Sequence, residues 1–264
     1  MSHKLKDGLL KNLGSRKVQI YKATITIHDF FFYVSREIRL GVPAEVINNT
    51  ALLYAINSLI SKSQRNASGN KPHYEEDYQL FPIYATPAGL VNSTEVAIGN
   101  SLKTFEHSTT TQKISYNSVD STFLISMETS VFHTHELKLA HPKLGSYMKY
   151  PPLTTFTFFT LGGLGARVVR LGKKLPPAVI LYQRLEETEL KQGFFKPDHP
   201  VAIKDLPGES KLIDGNIQFL PNGLIAVNAQ IHGLYYQGKI NGKTYYIAAP
   251  KQTMFPSVLF SEDK

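Results

Sequence analysis

The chain has 264 residues, 42% of them hydrophobic, and carries a formal charge of +8 at pH 7 with no cysteine. That apolar content suffices for a normal core, the charge makes nucleic acid or an anionic surface the leading partner class, and the missing thiols exclude disulfides, thiolate metal sites and zinc-finger RNA binding. No window approaches the roughly 18 apolar residues that a bilayer-crossing helix needs, so a soluble, cytoplasmic protein without membrane contact is expected.

Residues 1–17, MSHKLKDGLLKNLGSRK, are basic and weakly amphipathic and lack the apolar stretch of a secretory signal, which predicts a flexible basic arm. From Val18 to Ile27 the chain alternates. Tyr21, Ala23, Ile25 and Ile27 fall on one side and Lys22, Thr24 and Thr26 on the other, the pattern of a strand with one buried face. Pro43 followed by Glu45 predicts a helix start, with the helix running to about Lys62. Within it Leu52, Ile56, Leu59 and Ile60 share one core-facing stripe, so strand and helix read as the first half of a β-α-β unit.

The polar stretch SKSQRNASGNKPHYEEDY predicts a loop before a short strand over Phe81 to Ala85, which Pro87 and Gly89 end. Residues 92–150 are irregular and rich in Ser and Thr, and predict an insertion of exposed hairpin strands. Regular burial returns with strands at Phe156 to Leu161 and Ala178 to Tyr182. Asn222-Gly223 and Asn241-Gly242 each sit between alternating apolar runs and predict two hairpins, because both residue types tolerate positive φ. Strands with one early helix make the fold class α+β.

Chemistry concentrates in LGGLGARVVRLGKK, Leu161 to Lys174. Glycines at 162, 163, 165 and 172 are interleaved with Arg167, Arg170, Lys173 and Lys174. Neither a dinucleotide fingerprint nor a P-loop is present, and Val168, Val169 and Leu171 favour strand. A glycine-rich turn feeding a basic strand suits an extended polyanion, with glycine allowing close backbone approach and the cations facing phosphates. Tyr147, Lys149 and Tyr150 in GSYMKYPP combine rings with a cation and could stack unpaired bases, or pack in a core or interface. Phe30 to Phe32 read as core.

His133, His135 and His141 lie close in sequence, but nothing completes a metal site around them, and a solvated or RNA-facing cluster is the expectation. His28 could act as a general base on a 2′-hydroxyl, with Lys22, Tyr33 or Arg36 steadying charge. The preferred reading makes His28 and Asp29 the turn out of the strand, since no second catalytic partner is identifiable. No cofactor and no metal are expected.

The ordered segments YKATITIHDFFFYVSRE, TALLYAINSLIS, IYATPA and RVVRLGKK resemble Csc-one-type proteins, the Cas-five family subunit of type I-D CRISPR Cascade. The blocks span most of residues 18–185, the strongest being His28 to Glu37, Tyr84 to Ala88 and Arg170 to Lys173. The resemblance implies a RAMP-type, ferredoxin-like (RRM-like) core over 18–91 and 151–185. Residues 92–150 would be an inserted β-hairpin thumb and 186–264 a C-terminal antiparallel β region. It implies a non-catalytic, antiviral-defence subunit that binds and caps the 5′ handle of the CRISPR RNA. Its implied neighbours are a Cas-seven type backbone subunit and a Cas-ten type large subunit, with target DNA near the protospacer-adjacent motif a further candidate contact. Carried onto this chain, the resemblance covers Ser35, Arg36 and Glu37 and Arg170, Leu171, Gly172 and Lys173; with Tyr147, Lys149, Gly165, Arg167 and Lys174 read from the residues themselves, the expected RNA-binding set is Arg36, Tyr147, Lys149, Gly165, Arg167, Arg170, Gly172, Lys173 and Lys174. The alternative is a metal-independent endoribonuclease that processes CRISPR repeat RNA.

Overall fold

The computed structural model describes residues 18–33, 43–57, 74–91, 93–98, 101–106, 112–117, 144–172, 175–220 and 223–259. In chain order these form β1 (Ile20–Ile27), β2 (Val46–Ile47), α1 (Asn49–Ile56), α2 (Tyr74–Leu80), β3 (Tyr84–Ala85) and β4 (Ala88–Leu90). Four strands follow, β5 (Ser93–Ile98), β6 (Ser101–Glu106), β7 (Gln112–Asn117) and β8 (Leu144–Lys149), then β9 (Thr155–Leu161), β10 (Val168–Arg170) and β11 (Pro177–Arg184). The last third holds β12 (Glu186–Phe195), β13 (Val201–Ala202), a 3-10 turn (Ile203–Asp205), β14 (Lys211–Leu220), β15 (Gly223–Ile240), β16 (Lys243–Ala248) and α3 (Pro256–Leu259). The protein is therefore mostly antiparallel β-sheet with few helices. No helix among the described residues is long and apolar enough to cross a membrane.

Alternation places β1 at the centre of the first sheet. Ala23, Ile25 and Ile27 are buried while Lys22, Thr24 and Thr26 are half-buried, and β1 pairs antiparallel with β9 (Ile25↔Phe156) and β11 (Ile25↔Ile180). The sheet order is β10-β11-β1-β9-β4-β2, with β3 on the other half of β9. Because β1 and β4 both run antiparallel to β9, they run in the same direction one strand apart, and the helices lie in the crossover between them.

The helix begins later than Pro43 and Glu45 suggest. Val46 and Ile47, β-branched and buried, pair with Gly89 and Ala88 instead. The start falls to Asn48, whose side-chain oxygen accepts the Thr50 N–H at 2.9 Å from an extended conformation. Leu52 and Ile56 of the expected stripe are buried, joined by Leu53, whereas Leu59, Ile60 and Lys62 lie outside the described residues. At the far end buried Asn57 donates from Nδ2 to Leu53 O and Ile83 O, both at 2.9 Å, tying the helix to the chain before β3. Asn57→Ala is expected to lower stability by about 1 to 2 kcal/mol, because two buried carbonyls lose a donor. Chemical denaturation measures it, and an unchanged midpoint would remove this tie from the account.

Within the interval read as an insertion, β5 pairs with β6 and β7 with β8 as separate two-stranded ribbons. Residues 186–248 build a second, five-stranded antiparallel sheet around the 18-residue β15. Asn241 and Gly242, at φ 49° and 79°, close the turn between paired Ile240 and Lys243 as expected. At the other hairpin Leu220 pairs with Gly223, so Gly223 already belongs to the strand, and Asn222 lies outside the described residues.

The second sheet packs on the first over one end of β9 and β1. The Phe159 ring meets Tyr245 and His199 at 5.8 and 5.7 Å, Tyr84 meets Phe255 at 4.6 Å, and Lys22 Nζ donates to Tyr245 Oη at 3.2 Å. One hydrophobic cluster runs through both sheets.

Candidate nucleic-acid interface

The glycine-basic segment leaves β9 at Leu161, loops over 162–167 and returns as β10, the outermost strand of the first sheet beside β11. Its glycines are occupied chiefly by packing. A Cβ on Gly165 would sit 2.6 Å from Ile56 Cβ and 3.0 Å from Tyr182 Oη. Gly172, at φ +73°, would place one 2.8 Å from Phe32 O and 2.9 Å from Phe31 Cε2. Both glycines let the segment lie against protein, a packing requirement the sequence did not show. Gly163 alone in the loop has open space at its Cβ position.

The same contacts make the loop a fixed support. Ala166 N–H donates to Ile56 O at 3.0 Å, Gly162 N–H to Gln19 O at 2.9 Å, and Tyr182 Oη donates to Ala166 O at 3.1 Å. Burial raises the Tyr182 phenol to about 12 against the lowering influence of Gly165 N–H and Arg167, so it stays a neutral donor at physiological pH. Arg167 and Arg170 are exposed on this support. Arg170 donates to Leu175 O at 3.0 Å, bridging the turn after β10 while leaving the rest of its guanidinium available.

Val168, 68% exposed, lies between the two arginines. Ile180 N–H reaches Arg167 O and Leu171 N–H reaches Pro176 O, which orients alternate residues of β10 toward β11. The main-chain groups of Val168 and Arg170 therefore face the open edge, where no described residue pairs with them. Between this edge and α1 runs a groove of about 580 Å³, with Ala51, Tyr54 and Ala55 on one wall and Val168, Arg170 and Leu175 on the other. An edge whose N–H donors meet no described residue, two exposed guanidinium groups and an adjoining groove can hold an extended anionic chain.

The other expected residues are placed differently. Lys149 is only 8% exposed at the end of β8, and burial lowers its ammonium pKa while nearby Asp29 raises it. Tyr150, 2% exposed, bridges Phe31 and packs edge-on to Phe156 at 5.8 Å, so its ring belongs to the core. Phe31 is core as well, stacked on Tyr33 at 6.1 Å. Tyr147 lies in β8 opposite Ile114, with its side chain outside the described set. Arg36, Lys173, Lys174, His133, His135 and His141 also lie outside the described residues.

His28 is exposed directly after β1, its N–H on Pro177 O at 2.9 Å, and Asp29 accepts the Phe30 N–H at 2.6 Å, the local turn that the preferred reading describes. Lys22 is engaged by Tyr245 in the second sheet, and burial raises the Tyr33 phenol far above its usual range. No group of three or more metal-ligating side chains occurs among the described residues. Sequence reasoning missed a buried polar set between the sheets, comprising Asn49, Tyr84, Asp205 and His199. Their long-range bonds, which join residues 49 to 156 positions apart, carry no local signal.

Comparison with known proteins adds three findings. A search of solved structures returns the crystal structure of a CRISPR protein from Archaeoglobus fulgidus, at 9% identity and a TM-score of 0.38, covering 88% of this chain and all of that one. A search of curated proteins finds no match. The family described as type I-D CRISPR-associated protein Cas5/Csc1 matches residues 18–259. With nearly the whole chain matched, this protein belongs to the type I-D CRISPR-associated Cas5/Csc1 family.

Proposed function

We propose that the protein is a non-catalytic RNA-binding subunit of type I-D Cascade that binds and caps the 5′ handle of the CRISPR RNA. In this reading it also contacts the Cas-seven type backbone subunit and the Cas-ten type large subunit. The observation that carries the proposal is the exposed Arg167–Arg170 edge, held in one geometry by glycines packed on α1 and Phe31. A pre-positioned pair of guanidinium groups suits phosphates at fixed spacing, because little is lost in ordering them on binding. The strand order β11-β1-β9-β4, with helices in the β1-to-β4 crossover, supports reading the first sheet as a ferredoxin-like core, with the β5–β6 and β7–β8 ribbons as the thumb. Arg36, Lys173 and Lys174 would extend the cationic path.

Arg167→Ala with Arg170→Ala, in the assembled complex, is expected to weaken handle-RNA binding roughly ten- to a hundredfold at moderate salt. The slope of log affinity against log salt should shrink by about 1.4 if each arginine neutralises one phosphate of a single strand. Full affinity with an unchanged slope would end the assignment of this edge. Incubating the purified protein with repeat RNA in EDTA tests the non-catalytic part. Site-specific cleavage that disappears in His28→Ala would replace this reading with the endoribonuclease one.

A further inference from the structure

Asn49, the first residue of α1, and Asp205, the last of the 3-10 turn in the second sheet's half of the chain, meet where the two sheets pack, 0% and 2% exposed. Asn49 Nδ2 donates to Asp205 Oδ2, and Tyr84 Oη donates to the same oxygen at 3.2 Å. The second oxygen of each group, Asp205 Oδ1 and Asn49 Oδ1, is buried with no hydrogen-bond partner among the described residues. Two unpaired acceptors on a carboxylate and an amide already joined by their other ends would each bear a desolvation cost with nothing to offset it. A proton on Asp205 Oδ1, donated to Asn49 Oδ1, would offset both costs.

We propose that Asp205, protonated at mildly acidic pH, forms a reciprocal carboxyl–carboxamide pair with Asn49, a proton-dependent clasp between the two sheets that opens toward neutral pH.

The charged and titratable groups around the pair lower the carboxyl, but not enough to keep it ionised at mildly acidic pH. Lys204 Nζ, next in chain, reaches Tyr78 Oη at 3.4 Å and lies 5.2 Å from that ring, while Tyr78 Oη is shared with Thr50 Oγ1 at 2.7 Å. Lys251 contributes its main-chain N–H to Asp205 O at 2.6 Å, and neither ammonium forms an ion pair with the carboxyl. Burial outweighs the lowering influences of Lys204, Tyr84, Asn49 and Lys251 and pushes the carboxyl up to about 6. The clasp is closed when the proton is present, and ionisation turns Oδ1 into an acceptor facing an acceptor. Its effect reaches the basic edge, because α1 is clasped at Asn49 and its last residue, Ile56, accepts the Ala166 N–H of the glycine loop.

Asp205→Asn tests this, since a carboxamide supplies the clasp's donor and acceptors without a titratable proton. Three readouts on the intact chain from pH 5 to 8 decide it: urea unfolding, the infrared carbonyl band of a protonated carboxyl, and hydrogen-exchange protection of the Ala166 amide. The wild-type band should be present at pH 5, absent at pH 8, and missing from the variant throughout. With the folded carboxyl near 6 against 3.8 unfolded, the unfolding constant of wild type relative to the variant should rise about tenfold over this range. Ala166 protection should fall with it in wild type only. Absence of the band at pH 5, or a flat ratio, would overturn the clasp. A ratio flat in pH but dependent on sodium or potassium would also overturn it, by placing a cation between the oxygens. If the variant does not fold, the titration of the wild-type band decides alone.

Discussion

Gly162→Ala should lower stability by about 2 to 5 kcal/mol, more than any single change on the exposed surface. Two costs combine at this position. Gly162 has φ +99°, where an L-residue is strained by about 1 to 2 kcal/mol, and its Cβ would fall 2.4 Å from Pro82 O, a backbone atom that cannot swing aside. Relieving that overlap means moving the β9 end away from the chain before β3, an overpacking cost of about 1 to 3 kcal/mol. Gly162 N–H also holds Gln19 O at 2.9 Å, so the shift would reach the entry to β1. In thermal unfolding the combined loss corresponds to a midpoint about 10 °C lower for a chain of this size. Gly208→Ala, with nothing within 4 Å of its Cβ position and no positive φ, should stay within about 0.5 kcal/mol of wild type. Equal effects at the two glycines would refute the packing explanation.

That contrast shows where the sequence could be read and where it could not. Period-two alternation in β1 and the Asn241-Gly242 turn are local signals, because a strand's faces and a two-residue turn are set by neighbours in sequence. Glycine spacing is different. LGGLGARVVRLGKK looks like a ligand cradle in isolation, yet Gly162, Gly165 and Gly172 are required by Pro82, Ile56 and Phe31 to Phe32, residues brought to them only by the fold. Tyr150 is a similar case: beside Lys149 it resembles a stacking platform, and a bridge to Phe31 makes it core. The helix start was misplaced because Pro43 and Glu45 carry a generic signal, whereas pairing of Val46 and Ile47 with β4 is a long-range event. In the candidate interface the cations of β10 were legible by type, and what holds them was not.

His199 sets the acid limit of the fold, and its effect is separable from that of Asp205. The ring is buried against Phe159 with both nitrogens committed: Nδ1–H donates to Pro200 O at 2.7 Å, and Nε2 accepts the Ala248 N–H at 3.1 Å. A proton on Nε2 would place two N–H groups face to face, and burial adds the cost of a charge, so the imidazole is lowered from 6.5 to about 4. A lowered folded value means that the stabilisation is complete above about pH 6.5 and is lost as the pH falls toward 4, about 3 kcal/mol in all. Asp205 runs the other way, since its raised carboxyl stabilises most at low pH and the benefit is lost as the pH rises through about 6. In wild type the two therefore largely cancel between pH 4 and 6.5. Removing the carboxyl with Asp205→Asn should expose the histidine: that variant is expected to lose about 3 kcal/mol between pH 7 and 4, while Asp205→Asn with His199→Gln should lose far less. Urea unfolding of the pair across this range measures the difference. Parallel profiles would show that His199 is not the neutral, doubly bonded ring that ties β16 to the segment before β13.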